Sequence, residues 1–265
     1  MVCTDGSAEG QNAVAVTLEL AQACGSQVFA VQALEVKAEY EAVAPDLRAT
    51  LAQEVQKNME LIEEAAAKRG VTLKMVNPEA QAAHAAIVAA AEKIGPDLII
   101  LGRCGKTALA RLLMGNVTAR VIGLSPVNVL VVPRGAALAF RRLLIASDGS
   151  AHSQAAWKLA LAMAQKAASE LVAVSVAPEE GDIIQAKAII HQMLTEANRA
   201  KMPLKGVNPQ GLAPDEGIVH QAIRNEVDLI IMGSRGLTGL KKLVMGSVTE
   251  RVIGRSPCPI LVVKK

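Results

Sequence analysis

Two stretches of this chain say nearly the same thing. Leu112–Pro133 reads LLMGNVTARVIGLSPVNVLVVP and Leu243–Lys264 reads LVMGSVTERVIGRSPCPILVVK, identical at 14 of 22 positions. The likeness runs outward: Asp5-Gly6-Ser7 returns as Asp148-Gly149-Ser150, Val76-Asn77-Pro78 as Val207-Asn208-Pro209, and DLIILG (Asp97–Gly102) as DLIIMG (Asp228–Gly233). A unit of about 130 residues, a usual size for one domain, is present twice. The chain must therefore fold as two similar halves, and any site in one half can be checked against the other. We set the domains at 1–133 and 141–265, joined by the short RGAALAFR segment Arg134–Arg141.

In copy two, short apolar runs alternate with helical patterns. Arg142–Ser147, Glu170–Val176, Pro203–Val207, Asp228–Met232 and Pro259–Val263 read as strands. Ser153–Ala167, Asp182–Lys201, Asp215–Asn225 and Ser247–Ile253 read as helices. Such alternation implies an α/β fold with a parallel, doubly wound sheet, whose ligands sit beyond the carboxyl ends of the strands. The offset between copies falls from 143 at Asp5/Asp148 to 131 at Val76/Val207, so copy one carries 12 more residues, placed around Glu35–Pro45 before a helix Asp46–Arg69. Copy one begins its first strand only at Met1–Thr4, and a frayed edge is expected there.

Composition excludes several classes. Half of the 265 residues are hydrophobic, enough for two cores. Net charge is +3 with no basic stripe, and Phe29, Phe140, Tyr40 and Trp157 are too few to stack bases, so no nucleic-acid partner is expected. No apolar run reaches the roughly 18 residues of a membrane span. Cys3, Cys24, Cys104 and Cys258 fit no disulfide or metal spacing. With no signal segment, a cytoplasmic location is expected.

Each copy holds G-x2-G-x9-G followed by a small polar residue: Gly102, Gly105, Gly115 and Asn116 in one, Gly233, Gly236, Gly246 and Ser247 in the other. The first glycine closes the fourth strand, where a missing Cβ lets backbone approach a phosphate. The last opens a helix whose unpaired N–H groups attract an anion. A competing reading is a capping box, Ser247-x-x-Glu250, which satisfies the same groups with no ligand. Copy one has Ala119 in place of the glutamate.

Strand-Asp-Gly-Ser, DLIIMG and the glycine pattern before VTERVI and SPCPILVV resemble the universal stress protein family, twice over. The resemblance implies two tandem Rossmann-like five-stranded parallel sheets in the order 3-2-1-4-5. It also implies ATP, or AMP or ADP, as ligand, with Mg2+ in company. Carried over by position, Asp5 and Asp148 meet adenosine, and the backbone of Ala33 and Val176 meets adenine. The phosphates lie on Gly102, Gly105, Gly115 and Asn116 in one copy. In the other they lie on Gly233, Gly236, Gly246, Ser247 and the N–H of Val248, with the loop residues Arg235 and Arg103 neutralising charge. The family's glycine before the third helix is absent: Gln81 and Leu212 stand there, with Gly211 one place off. In the family the final strand pairs with that of a second domain. An intramolecular pseudo-dimer through Val127–Val132 and Pro259–Val263, with further homodimerisation, is therefore expected.

Other patterns are weaker. GRCGKT (Gly102–Thr107) is the tail of a P-loop with Ile100 where its first glycine belongs, although Lys106 remains available to a phosphate. Cys104 in that loop reads as a sensor thiol or, more simply, a filler. The four histidines form no metal or triad pattern, and Trp157 and the methionines read as core. No catalytic machinery is visible beyond slow ATP hydrolysis. The expected role is an ATP-binding regulatory or stress-response module. The alternatives are a ligand-free dimeric interaction protein and an adenylate-forming enzyme.

Overall fold

The structure, a computed structural model, describes residues 1–35, 46–105, 114–237 and 245–264. They fall into two compact units, the first reaching Gly135 and the second beginning at Ala136. In unit 1 the elements are β1 (Val2–Cys3), α1 (Ala8–Cys24), β2 (Val28–Val31), β3 (Leu34–Glu35), α2 (Leu47–Lys68), β4 (Leu73–Val76), β5 (Glu79–Ala80), α3 (Ala83–Ile94), β6 (Leu98–Gly102), α4 (Asn116–Leu124) and β7 (Asn128–Val132). In unit 2 they are β8 (Arg142–Ala146), α5 (Ala151–Ala167), β9 (Glu170–Val174), a single 3-10 turn, α6 (Ile183–Arg199), β10 (Leu204–Val207), α7 (Pro214–Arg224), β11 (Leu229–Gly233), α8 (Ser247–Arg255) and β12 (Ile260–Val263).

Strand order is β4-β2-β1-β6-β7 in unit 1 and β10-β9-β8-β11-β12 in unit 2, the order 3-2-1-4-5 in both. Every printed pairing within a unit is parallel. The strands inside the β4 and β10 edges are apolar on both faces because helices cover both, while β4 and β10 carry Lys74 and Lys205 and are partly exposed. In β11 all of LIIMG is buried. Right-handed crossovers place the first two helices of each unit on one face and the last two on the other. Thus α5 packs on β8, β11 and β12, while α7 packs on α8.

The first strand is not frayed. As the centre of a 3-2-1-4-5 sheet it has neighbours on both sides: Val2 and Cys3 pair with Ala30 and Val31 on one and with Ile100 and Leu101 on the other. Of the inserted segment, residues 36–45 lie outside the described ones, but Leu34–Glu35 adds a small parallel ladder with Glu79–Ala80 that the sequence reading missed. Unit 2 keeps a single bridge at the matching place, Ala177 with Gln210. Among the described residues no helix is long and apolar enough to cross a membrane.

Candidate functional site

The Asp-Gly-Ser turns show why those three residues recur. The Asp148 carboxylate accepts the Ser150 N–H at 3.0 Å through Oδ1, an Asx turn. Gly149 then takes φ +82°, a left-handed conformation that glycine enters without strain. Ser150 caps α5 by accepting the Ser153 N–H. Unit 1 repeats each step with Asp5, Gly6 (φ +77°) and Ser7.

The other oxygen of Asp148 reaches the glycine loop, where Oδ2 accepts the Leu237 N–H at 2.9 Å. A Cβ on Gly236 would lie 2.5 Å from that oxygen, and one on Gly105 would lie 2.5 Å from Asp5 Oδ2. A Cβ on Gly233 would lie 2.8 Å from the α5 backbone at His152, and one on Gly102 would lie 2.9 Å from that of Glu9. The first two glycines of each pattern thus also answer to the protein's own packing, whether or not a phosphate approaches them. Gly246 differs: its nearest neighbour would be Arg235 Cα at 3.4 Å, an ordinary contact.

The capping-box reading also changes. Gly246, not Ser247, is the N-cap of α8, with φ −72° and ψ 139°, and among the described residues no side chain caps the helix. Ser247 is already helical, so Glu250 stands at the fourth helical position, one place past the third from which a capping-box glutamate reaches back. The Thr249 hydroxyl instead donates to Gly233 O at 3.0 Å, tying the helix to the end of β11, as Thr118 does to Gly102 O. Each such bond is worth about 1 kcal/mol. The Gly246 N–H donates to Ser234 O, closing the base of the loop.

Beyond the carboxyl ends of β8, β9 and β11 lies a cavity of about 380 Å³, within the range of small-molecule sites. Asp148, Val176, Gly233, Arg235, Gly236, Gly246, Ser247 and Val248 all line it, so the eight residues singled out in copy two are brought together. Its far wall is apolar: Val174, Ile189, Pro214 and Ile218. The sequence reading missed that wall, although Gly217 inside the α7 pattern was a signal. A Cβ there would lie 2.8 Å from Val176, so helix and strand end approach closely. Beside the loop Lys264 is pushed down to about 8 by burial and by the Arg235 charge.

Unit 1 brings Asp5 to Gly105 and closes its loop base by Gly115 N–H to Arg103 O at 2.9 Å. Ala33 follows β2, at the position Val176 holds after β9. Asn116 is the first helical residue of α4, and its Oδ1 accepts from Arg120 Nε at 3.1 Å. Arg103 is turned to Glu9, with Nη2 4.0 Å from Oε1. Lys106 and Thr107 lie outside the described residues. The sensor idea for Cys104 fails: burial, then the nearby Glu9 charge, raises its thiol pKa, where a sensor needs it lowered. Among the described residues no cluster of three or more His, Cys, Asp or Glu is arranged for a metal ion.

Strand order and cleft define a two-unit protein of the doubly wound α/β class, which holds ligands at the strand carboxyl ends. The sequence profile of the Universal stress protein family matches residues 1–133 and again 139–264. The chain belongs to the universal stress protein family. It is 26% identical to the universal stress protein Slr1230 of Synechocystis sp., over 98% of this chain and 98% of that one. It is 32% identical over 136 residues to the "Universal stress protein in QAH/OAS sulfhydrylase 3'region" of Thermus aquaticus, covering 47% of this chain and 99% of the relative. One unit here thus corresponds to a whole relative there. A solved universal stress protein of Archaeoglobus fulgidus shares the fold at TM-score 0.77 and 21% identity, over 100% of this chain and 97% of that one.

Proposed function

We propose that unit 2 binds an adenine nucleotide, ATP before ADP or AMP, and that the protein is a cytoplasmic nucleotide-dependent module of the stress response. One observation carries the reading. The first turn of α8, whose N-cap is a glycine with no side chain to cap it, opens on a 380 Å³ cavity that also takes in Arg235. Unsatisfied N–H groups, the helix dipole and a guanidinium together favour a polyphosphate. In this reading Gly246, Ser247, the Val248 N–H, Gly233, Gly236 and Arg235 hold the phosphates. The Asp148 side and the Val176 backbone take the adenosine, against the apolar wall of Ile189 and Ile218. Both Asp148 oxygens already accept backbone N–H groups. Any Mg2+ therefore arrives with the nucleotide, held by phosphate oxygens rather than by a carboxylate cage.

The role is binding and regulation, with no proton or phosphoryl transfer assigned to any side chain. The matching set in unit 1 is Asp5, Ala33, Gly102, Gly105, Gly115 and Asn116. The apolar last strands β7 and β12 support an intramolecular pseudo-dimer, since pairing them removes two exposed edges.

The test is nucleotide released from the purified, denatured protein and identified by mass spectrometry, with ATP titrated by calorimetry. Gly246→Val puts a branched side chain where the phosphates would approach, at a backbone conformation valine accepts. The expected result is at least a tenfold loss of ATP affinity with an unchanged circular dichroism spectrum. No released nucleotide and no heat with ATP, ADP or AMP would return the protein to the ligand-free interaction reading.

A further inference from the structure

Unit 1 repeats the loop base, the turn and a helix that opens on glycine, yet its side chains differ at three matching places, two across the cleft and one behind the loop. Behind the loop, position 9 of unit 1 is Glu where position 152 of unit 2 is His. The Cys104 backbone N–H, one residue before Gly105, donates to Glu9 Oε2. The Glu9 side chain is 16% exposed, so this carboxylate sits against the loop with little solvent to screen it. Position 152 does not line the unit 2 cavity. Glu9 accordingly acts from the α1 side: it takes the Cys104 loop amide and faces Arg103 at 4.0 Å, holding both groups for the protein rather than for a phosphate.

Across the cleft the second and third differences act together. Ser175 and Ile189 line the unit 2 cavity, and Ile189 lies 3.2 Å from where a Gly149 Cβ would be. Their counterparts are Gln32 and Asn58, and Asn58 stands over Gly6 just as Ile189 stands over Gly149, with its Cγ 3.6 Å from the corresponding point. The two amides meet: Asn58 Nδ2 donates to Gln32 Oε1 at 2.6 Å, and Gln32 is 6% exposed. A buried amide pair bridges the end of β2 and the middle of α2, where unit 2 offers an alcohol and an aliphatic wall. A nucleobase entering there would have to break that bond in a poorly solvated place and leave polar groups unpaired.

We infer that unit 1 is closed to nucleotide by its own side chains, Glu9 at the loop and the Gln32–Asn58 bridge across the cleft, so that the chain binds one nucleotide rather than two. This rests on the nucleotide reading of unit 2 and departs from the two filled sites that the repeated glycine pattern suggests. Unit 1 keeps the scaffold of the site and lacks its chemistry.

The experiment is calorimetric stoichiometry with ATP on the full chain, in four proteins. Wild type is expected to saturate at one equivalent, and Gly246→Val, with its Kd raised tenfold or more, to hold about a tenth of an equivalent or less at free ATP equal to the wild-type Kd. The triple variant Glu9→His, Gln32→Ser, Asn58→Ile gives unit 1 the side chains of unit 2 and is expected to bind two. The same triple with Gly246→Val is expected to bind one, placing the gained site in unit 1. Two equivalents in wild type, or one remaining in Gly246→Val, would overturn the closure while leaving nucleotide binding intact. A folded triple variant that still binds one would overturn the assignment to these three residues. Wild type binding none would instead overturn the reading of unit 2, and this inference with it.

Discussion

Gly236 and Gly246 look alike in the sequence, yet one must accommodate Asp148 and the other meets nothing closer than an ordinary contact. A repeated pattern shows that glycine is needed; it does not show against what. The reading of glycine as phosphate clearance therefore survives best at Gly246, where the described residues offer no contact closer than Arg235 Cα at 3.4 Å. Lys264 is a second residue whose surroundings were hidden. Its amine keeps a proton up to about 10.5 in the unfolded chain and only to about 8 in the folded one. Between those values the unfolded state holds more protons, so stability rises with pH across the window, and below 8 the burial penalty is at full size. Lys264→Met is expected to melt higher than wild type at pH 7, with the gap narrowing as pH climbs from 8 to 10.5. A gap independent of pH in thermal melts would show that the lysine is not the cause.

Most of the elements were legible, because buried parallel strands write themselves as apolar runs and the Asp-Gly-Ser turn fixes where each first helix begins. Less legible was whatever depends on three dimensions. The central place of β1, flanked on both sides, made a short strand secure, and only the sheet order reveals that. The capping box failed by one residue, since S-x-x-E does not say whether serine stands before the helix or in it. The amide pair Gln32–Asn58 joins residues 26 apart, and only the comparison of copies at offset 131 makes Asn58 the partner of Ile189. Caps also separate the copies. The first helix of unit 1 ends on Gly25 at φ 64°, whereas that of unit 2 ends on Ala168 at φ 53°. A left-handed alanine costs roughly 1–2 kcal/mol, offset in part by the greater unfolded freedom of glycine. Ala168→Gly is expected to stabilise unit 2 by about 0.5–1 kcal/mol in urea unfolding, and an unchanged midpoint would count against this account of the cap.

For the whole chain, the proposed single nucleotide site in two cores would give an uneven response to ligand. ATP at a hundred times its Kd adds about 2.7 kcal/mol to the half that binds it. Hydrogen exchange with saturating ATP is expected to slow at the Asp148–Ser150 turn, at Ser234–Leu237 and in the first turn of α8, with Asp5–Ser7 and Gly102–Gly105 unchanged. Equal slowing in both halves would contradict a single site. The two-handed aspartate has a last consequence. One oxygen shapes the turn while its twin sits against the glycine loop, so losing this carboxylate would damage a unit whether or not it ever meets a ligand. Signature residues can therefore outlive the task they advertise, and a motif count overstates how many working compartments a duplicated protein contains.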